Sequence, residues 1–399
     1  MNKNMIAKGA TMGATMHSYK EYTNATAPFH SSFFELLHKE QWREVRLGEV
    51  AEIKIGKGNV QDSVNDGIYP FFDRSQKIKK SHKFILDSEA IIVAGEGKDF
   101  IPRYYKGRFD LHQRYYAIFN VTQNAKYIYY AIYNQKDVFK SIAVGSTVMS
   151  LRLNHFTDFT IPLPPLETQH KIAEILSSLD DKIDLLHRQN KTLESLSLTL
   201  FRHTFIDNPN RNKWEEKPLS EIADFLNGLA CQKIPPKNEV DRLPVLKIKE
   251  LREGITESSD WATSEVDSKY IVQNGDIIFS WSASLMVKIW NGQKCILNQH
   301  LFKITSAIYP KWFYYFWCLW HLQEFVSIAS AQATTMGHIK RQDLDNAICA
   351  IPPKDFLDSM DKQISPIFDK IYNNSKQIQN LESLRDIMLP KLLSGEMEV

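Results

Sequence analysis

The chain has 399 residues, with 49 Lys+Arg against 47 Asp+Glu, and it is 43% hydrophobic and 12% aromatic. That composition excludes a disordered chain and leaves room for roughly two or three packed domains, while a net charge of +2 gives no bulk case for a polyanionic partner. The four cysteines, Cys231, Cys295, Cys318 and Cys349, include no C-x-x-C pair, which argues for buried reduced thiols over a zinc site.

Residues 1–41 show little periodicity beyond the echo Ala10-Thr-Met-Gly-Ala-Thr-Met16. They read as a mobile N-terminal extension or a short helix near residues 33–38, and Met5, Met12 and Met16 leave the start codon open. No apolar signal segment is read there. Residues 42–160 read as a strand-rich unit, with strands over 90–94 and 115–119, glycines at the turns and a helix over 126–140. Residues 161–213 open on Pro162-Leu-Pro-Pro165, a stiff extended exit. A helix over 167–205 follows, with an apolar seam through Ile172, Ile175, Leu179, Ile183, Leu186, Asn190, Leu193, Leu196 and Leu200. Its steps of three and four residues are coiled-coil spacing.

Residues 214–350 read as a second strand-rich unit, with strands over 276–280 and 297–305 and a helix over 312–329. The most apolar run lies in that helix, but it is short and interrupted by His321, so no membrane span is read; the reduced cysteines point to a cytoplasmic location. Residues 351–399 begin with Pro352-Pro353 and form a second long helix. Its seam runs through Ile364, Ile367, Ile371, Asn374, Ile378, Leu381, Arg385, Met388 and Leu392.

The second half repeats the first. Trp42-Arg-Glu-Val-Arg-Leu47-Gly-Glu-Val50-Ala51 returns as Trp214-Glu-Glu-Lys-Pro-Leu219-Ser-Glu-Ile222-Ala223 at an offset of 172 residues. Leu193-Glu-Ser-Leu196 returns as Leu381-Glu-Ser-Leu384 at an offset of 188, and so do the proline exits. Two long copies indicate a duplicated domain, not a solenoid. If the helices pair antiparallel with Asn190 opposite Asn374, then Ile183 faces Leu381, Leu186 faces Ile378, Leu193 faces Ile371 and Leu200 faces Ile364. The alternative is that both asparagines are solvated breaks in amphipathic helices.

Charge differs between the copies: residues 42–160 hold 18 Lys+Arg against 13 Asp+Glu, and residues 214–350 hold 14 against 16. Lys77, Lys79, Lys80 and Lys83 form a basic loop suited to phosphate, or a solvated surface run. Arg103, Arg108 and Arg114 can read guanine, or form structural ion pairs. Gln113 and Gln299 recur at matched places, which argues for a shared structural role, since two half-sites should differ. Thr147 and Thr335 recur likewise and could position phosphate. Arg103 in the first copy, and Lys247, Lys249, His300 and His338 in the second, are unmatched polar residues and better candidates for specificity.

Asp87, Glu96 and Lys98 loosely fit a metal-dependent nuclease constellation. The aligned Gln273, Ser282 and Ser284 do not, so a turn is the favoured account. No phosphate-binding loop and no Asn/Asp-Pro-Pro-Tyr/Phe methyltransferase signature occurs.

The order of strand-rich unit, proline block and long helix, then the whole repeated, resembles the specificity (S) subunit of type I restriction–modification enzymes. The residues that carry the resemblance are Leu47-Gly-Glu-Val-Ala51, Leu219-Ser-Glu-Ile-Ala223, Ile161-Pro-Leu-Pro-Pro-Leu166-Glu-Thr-Gln169-His-Lys-Ile172, Leu179-Asp-Asp-Lys-Ile183 and the tail Leu389-Pro-Lys-Leu-Leu-Ser-Gly-Glu396. The resemblance implies an α+β fold of two target recognition domains in tandem, each followed by a long helix. The helices would form an antiparallel coiled coil with pseudo-twofold symmetry. Each recognition domain would read one half of a split double-stranded DNA target.

The helices would set the spacing and dock two adenine-N6 DNA methyltransferase (M) subunits, and through them the restriction/translocase (R) subunits of a phage-defence complex. The chain itself would be no enzyme and hold no cofactor, with S-adenosylmethionine, ATP and Mg expected on the partners. Three features depart from the family pattern: the long lead before Trp42, Lys354-Asp-Phe in place of Leu166-Glu-Thr, and the absence of net positive charge in the second unit. The competing reading is a coiled-coil adaptor or scaffold whose units bind protein.

Overall fold

The computed structural model describes residues 42–75, 77–97, 100–145, 147–256, 258–331 and 337–399. The helix expected near 33–38, and with it Lys98 and Thr335, lie outside the described residues. The described residues form two compact units, one containing 42–180 together with Leu384–Val399 and the other lying within Asp181–Ser383. The long helices Leu166–Phe201 and Lys354–Ser394 therefore contribute one part to each unit.

In the first unit, β1 (Arg43–Arg46) pairs antiparallel with β8 (Thr160–Leu163), so the unit's start is stitched to its proline exit. The body is a six-stranded sheet made of β2 (Glu52–Ile55), β3 (Tyr69–Phe72), β4 (Lys79–Ser81), β5 (Leu86–Ala94), β6 (Arg103–Leu111) and β7 (Tyr115–Phe119). Its order is β2-β7-β5-β6-β3-β4, antiparallel except for β3 against β6. Ala90, Ile91, Ile92 and Val93 are fully buried, as their unbroken apolar run requires of a central strand.

The helix expected over 126–140 is two helices, Ala125–Asn134 and Lys136–Ile142. The chain breaks at Gln135 and turns Phe139 inward, where its ring lies 4.4 Å from Phe159 and 5.3 Å from Phe156. Buried Gln169 ties this body to the long helix. Its Nε2 donates to Pro164 O at 2.8 Å and Gln123 Oε1 at 3.1 Å, and its Oε1 accepts from Asn124 N at 3.2 Å. Ile172, Ala173 and Leu176 then join the sheet's core together with Leu389, Leu392 and Leu393. Arg385, which falls on the expected apolar seam, bonds Asp180 at 2.9 Å. Burial works against its charge, but the bonds to Asp180 and Asp386 outweigh it and raise its pKa.

The second unit follows the same plan with two breaks. β9 (Glu215–Pro218) pairs with β18 (Ile348–Ile351), as β1 does with β8. One four-stranded sheet has the order β10-β17-β14-β15 and another the order β12-β11-β16-β13. The strands are β10 (Asp224–Asn227), β11 (Leu243–Leu246), β12 (Trp261–Ala262), β13 (Ile271–Val272), β14 (Ile277–Ser280), β15 (Met286–Ile289), β16 (Cys295–Leu297) and β17 (Leu301–Thr305). β11 runs parallel to β16, the counterpart of β3 beside β6. Continuous β5 thus corresponds to β13 plus β14, and continuous β6 to β15 plus β16. Asn274-Gly275 and Asn291-Gly292 stand at the two interruptions, and Gly275 has a φ of +90°, which glycine adopts without strain. The strand expected over 297–305 is likewise two strands separated by the turn Asn298–His300.

The helix Lys311–Ala331 buries Trp312, Phe313, Phe316 and Trp317. Its first half is apolar almost all round, as a helix sunk in a core must be, whereas Gln323, Glu324, Ser327 and Ser330 are exposed in its second half. All four cysteines are buried. Among the described residues, no helix is long and apolar enough to cross a membrane.

Within this unit the two long helices run antiparallel. Asn374 Nδ2 donates to Asn190 Oδ1 at 2.9 Å, and both residues are buried. Asn190 Nδ2 in turn donates to Ser375 Oγ at 3.1 Å and Ile371 O at 3.3 Å. Ile183, Leu186 and Ile378 form an apolar cluster with Leu381 beside it, in the register expected from the asparagine pairing. The seam departs from expectation at Leu196, which is exposed, whereas Ser197 is fully buried and its Oγ has no partner. Alternating steps of three and four from Ile183 reach 186, 190, 193 and 197, so the heptad itself selects Ser197. The helix ends at Phe201 in a π-helical turn, Arg202–Ile206, which sets Phe205 among Trp214, Trp312 and Phe313.

Candidate nucleic-acid interface

The basic run expected as a loop is in part a strand: Lys79–Ser81 is β4, paired with β3. Lys77, Lys80 and Lys83 are exposed along it, with Lys83 3.8 Å from Asp62. Lys79 is different, because its ammonium lies 2.6 Å from buried Asp73. Burial raises the Asp73 pKa, but hydrogen bonds from Lys79 and Ser75 together outweigh it and hold the carboxyl below its usual value.

The second unit contains the same ion pair with its polarity reversed. Phe71 pairs with Lys79 across β3 and β4, and Val245 N bonds Asp260 O across the corresponding strands. His112 N bonds Phe72 O where Asn298 N bonds Leu246 O. In that register Lys247 takes the place of Asp73 and Asp260 the place of Lys79, and Lys247 Nζ bonds Asp260 Oδ2. Lys79 and Lys247 are therefore each paired at one sheet edge, Lys79 with a buried carboxylate and Lys247 with the exposed carboxylate of Asp260.

Other candidates separate by position. Arg108, on β6 opposite Asp87 of β5, has its Nε 2.9 Å from Asp87 Oδ2 and its guanidinium over the Phe84 ring. Lys249 bonds Ser258 at 2.9 Å. Thr147 is exposed in the bend between Val144 and Ser150, which bridge each other. Arg103 and Lys77 converge: Arg103 Nη2 donates to Ser75 O at 3.4 Å, and Ser75 Oγ donates to Lys77 O at 2.5 Å. Arg74, which sequence reasoning passed over, is exposed beside them. Burial, with the positive charges of Arg74 and Lys79, holds His112 below the usual imidazole pKa. Asp87 and Glu96 flank opposite ends of β5, and at roughly 3.3 Å per residue they stand about 30 Å apart, so they cannot share a metal ion.

Arg114 and His300 occupy one corner of the frame, at the turn into β7 and β17. Gln113 N bonds Gly58 O at 2.7 Å, and Gln299 N bonds Leu229 O at 2.8 Å, so the two glutamines share a backbone role. Gly97 N bonds Met149 O at 3.1 Å where Ala283 N bonds Gly337 O at 2.9 Å. Glu96 bridges Ser150 where Ser282 bridges His338.

On this common backbone the side chains differ. In the first unit Glu96 forms an ion pair with Arg114 at a cavity of about 270 Å³. Gly95 lies on its wall, packed so closely that a Cβ there would meet Tyr116 Cε2 at 2.6 Å. In the second unit Ser282 Oγ lies 3.4 Å from His300 Nδ1. Trp281 stands in the place of Gly95, stacked on Phe302 at 5.7 Å, with its Nε1 donating to Asn227 Oδ1 at 3.2 Å. His300 and His338 lie 5.9 and 6.2 Å from its ring. Sequence reasoning missed Trp281, although aligning Ala90–Ala94 with Asp276–Ser280 places it opposite Gly95.

A larger cavity, about 450 Å³, lies elsewhere in the second unit, beside Asn190, Glu194, Lys288, Tyr315 and Tyr372. Burial raises the pKa of Glu194 and lowers that of Lys288 there.

Comparison with known proteins agrees with the duplicated frame. The type I restriction modification DNA specificity domain matches twice, over residues 39–195 and 211–384. The specificity subunit of the type I restriction enzyme MjaIX from Methanocaldococcus jannaschii is 31% identical over 301 residues, which is 69% of each chain. That of EcoKI from Escherichia coli K12 is 20% identical over 392 residues, covering 86% of this chain and 82% of the relative. The S subunit of a type I restriction–modification system from M. genitalium has a similar fold. Its TM-score is 0.58 at 16% identity, covering 88% of this chain and 96% of that one.

Proposed function

Because the chain belongs to the type I restriction modification DNA specificity domain family, we propose that each of its strand-rich units reads one half of a split duplex DNA sequence. The observation that carries this is the corner just described, where one backbone frame occurs twice and presents different side chains. Two copies of a frame suit two contacts on one duplex, and divergent side chains suit two different base sequences.

The paired helices set the distance between half-sites and dock two adenine-N6 methyltransferase subunits, through which the restriction/translocase subunits join. Exposed apolar residues support such docking: Leu384 and Ile387 on one helix part, Leu196 and Leu198 on another. The chain does no chemistry, and S-adenosylmethionine, ATP and Mg bind the partners in the cytoplasm.

The test is expression of the full chain with its methyltransferase subunit, followed by methylation-sensitive long-read sequencing of host DNA. The expected result is a methylated motif of two short blocks separated by unspecified bases, which disappears without this chain. No such motif, or a complex whose DNA binding is indifferent to salt, would favour the adaptor reading.

A further inference from the structure

The matched sheet corner brings together what base readout needs: a rigid backbone position, exposed polar side chains, and chemistry that changes between copies. We propose that this corner is the base-reading position of each unit, and the proposal rests on the family reading above. In the first unit Arg114 reads guanine. A guanidinium offers the forked donors that match O6 and N7 in the major groove, and the Glu96 carboxylate holds that fork in place. Glu96 is a positioning residue, largely buried beside an arginine that is about half exposed. The open cavity at Gly95 leaves room for a base edge to approach.

In the second unit the same position reads an A·T pair. Trp281 offers an apolar face for the thymine methyl, and His300 and His338 stand beside it as polar groups for the base edge, His300 exchanging its contacts with Ser282 and Gln299 for the base. Trp281 is held on both sides, by Phe302 below and Asn227 at its indole nitrogen, so its orientation is fixed before DNA arrives.

Two features separate this corner from an ordinary surface. Its backbone bonds recur between copies, so the frame is constrained. Apart from Gln113 and Gln299, its side chains do not recur, so the frame does not dictate them.

The experiment uses the full chain with its methyltransferase subunit acting on a library randomised across the motif. The unmodified chain is read first, and its split motif establishes the proposed function independently of any variant. Arg114→Ala is expected to lower discrimination for guanine at one position of one half-site by roughly 5- to 100-fold, with the other half-site unchanged. Glu96→Gln is expected to weaken discrimination at that same position only, whereas a merely structural role would lower methylation of all sequences alike.

Trp281→Ala and His300→Ala are expected to relax a position in the other half-site. Should Arg114→Ala abolish methylation, Arg114→Lys decides, because it keeps the charge and loses the fork. Full retention of guanine preference by Arg114→Lys overturns the assignment. An unchanged motif in all four variants, or loss of both half-sites together, overturns it as well.

Discussion

Asn190 and Asn374 show how one polar pair can set the position of a helix against its neighbour. An asparagine on an apolar seam costs stability unless its amide finds a partner, and the only register that pairs these two also pairs Ile183 with Leu381 and Leu186 with Ile378. Asn374→Leu removes the donor to Asn190 Oδ1 and leaves that buried oxygen unsatisfied, at a cost of about 1–3 kcal/mol. Adding Asn190→Leu removes the orphaned group and restores apolar packing. The double variant is therefore expected to unfold later in urea than Asn374→Leu alone, and a midpoint equal to the sum of the two single losses would contradict this account. The pair was legible in the sequence because both residues interrupt regular seams. Ser197 was not, since an apolar neighbour, Leu196, attracted the reading away from the heptad position.

Strands and turns carry the duplication further than the sequence does. Gly56 and Gly228 lie 172 residues apart, each just after the first strand of its sheet. A Cβ would come within 2.2 Å of His112 O in the first case and 2.3 Å of Asn298 O in the second. Neither contact can yield by rotating a side chain, because each is backbone. Gly56→Ala and Gly228→Ala should each cost about 1–3 kcal/mol through forced separation of the turn from the adjacent strand. The two should lower the melting temperature by similar amounts, and tolerance of either alanine would show that the frame is looser than its repetition suggests.

At this scale the sequence revealed the unit starts, the proline exits, the central strands and the long helices, each of which has its own local pattern. It did not reveal that β5 and β6 are continuous while their counterparts are broken, because that depends on pairing across the sheet. Nor did it reveal the reversed ion pair. Asp73 lies near Lys79 in sequence, but Lys247 meets Asp260 only after a hairpin-like return through the Ile248–Glu253 helix. Lysines alone suggested phosphate, and the carboxylates that hold two of them become visible only in three dimensions.

For the whole molecule, the uneven charge of the copies has a consequence for how DNA is held. The first copy carries the exposed run Lys77, Lys80 and Lys83, with Lys83 3.8 Å from Asp62, whereas Lys247 in the second is paired with Asp260 at the surface. Phosphate contacts supply affinity without sequence information, and each one released adds about 0.9 to the slope of log affinity against log salt. Replacing Lys77, Lys80 and Lys83 together with glutamine should weaken binding of the assembled complex to every duplex alike and make the salt slope shallower by roughly 2 to 3. The methylated motif should stay the same, because none of the three sits at the corner where the copies differ. Equilibrium binding to specific and unrelated duplexes at several salt concentrations measures both quantities. A changed motif with an unchanged slope would reverse the assignment, giving the hairpin the reading role and leaving grip to other residues. Grip on one unit and readout on both is an arrangement that duplication permits: once the frame is fixed twice, charge can be concentrated in one copy without disturbing the geometry of the other.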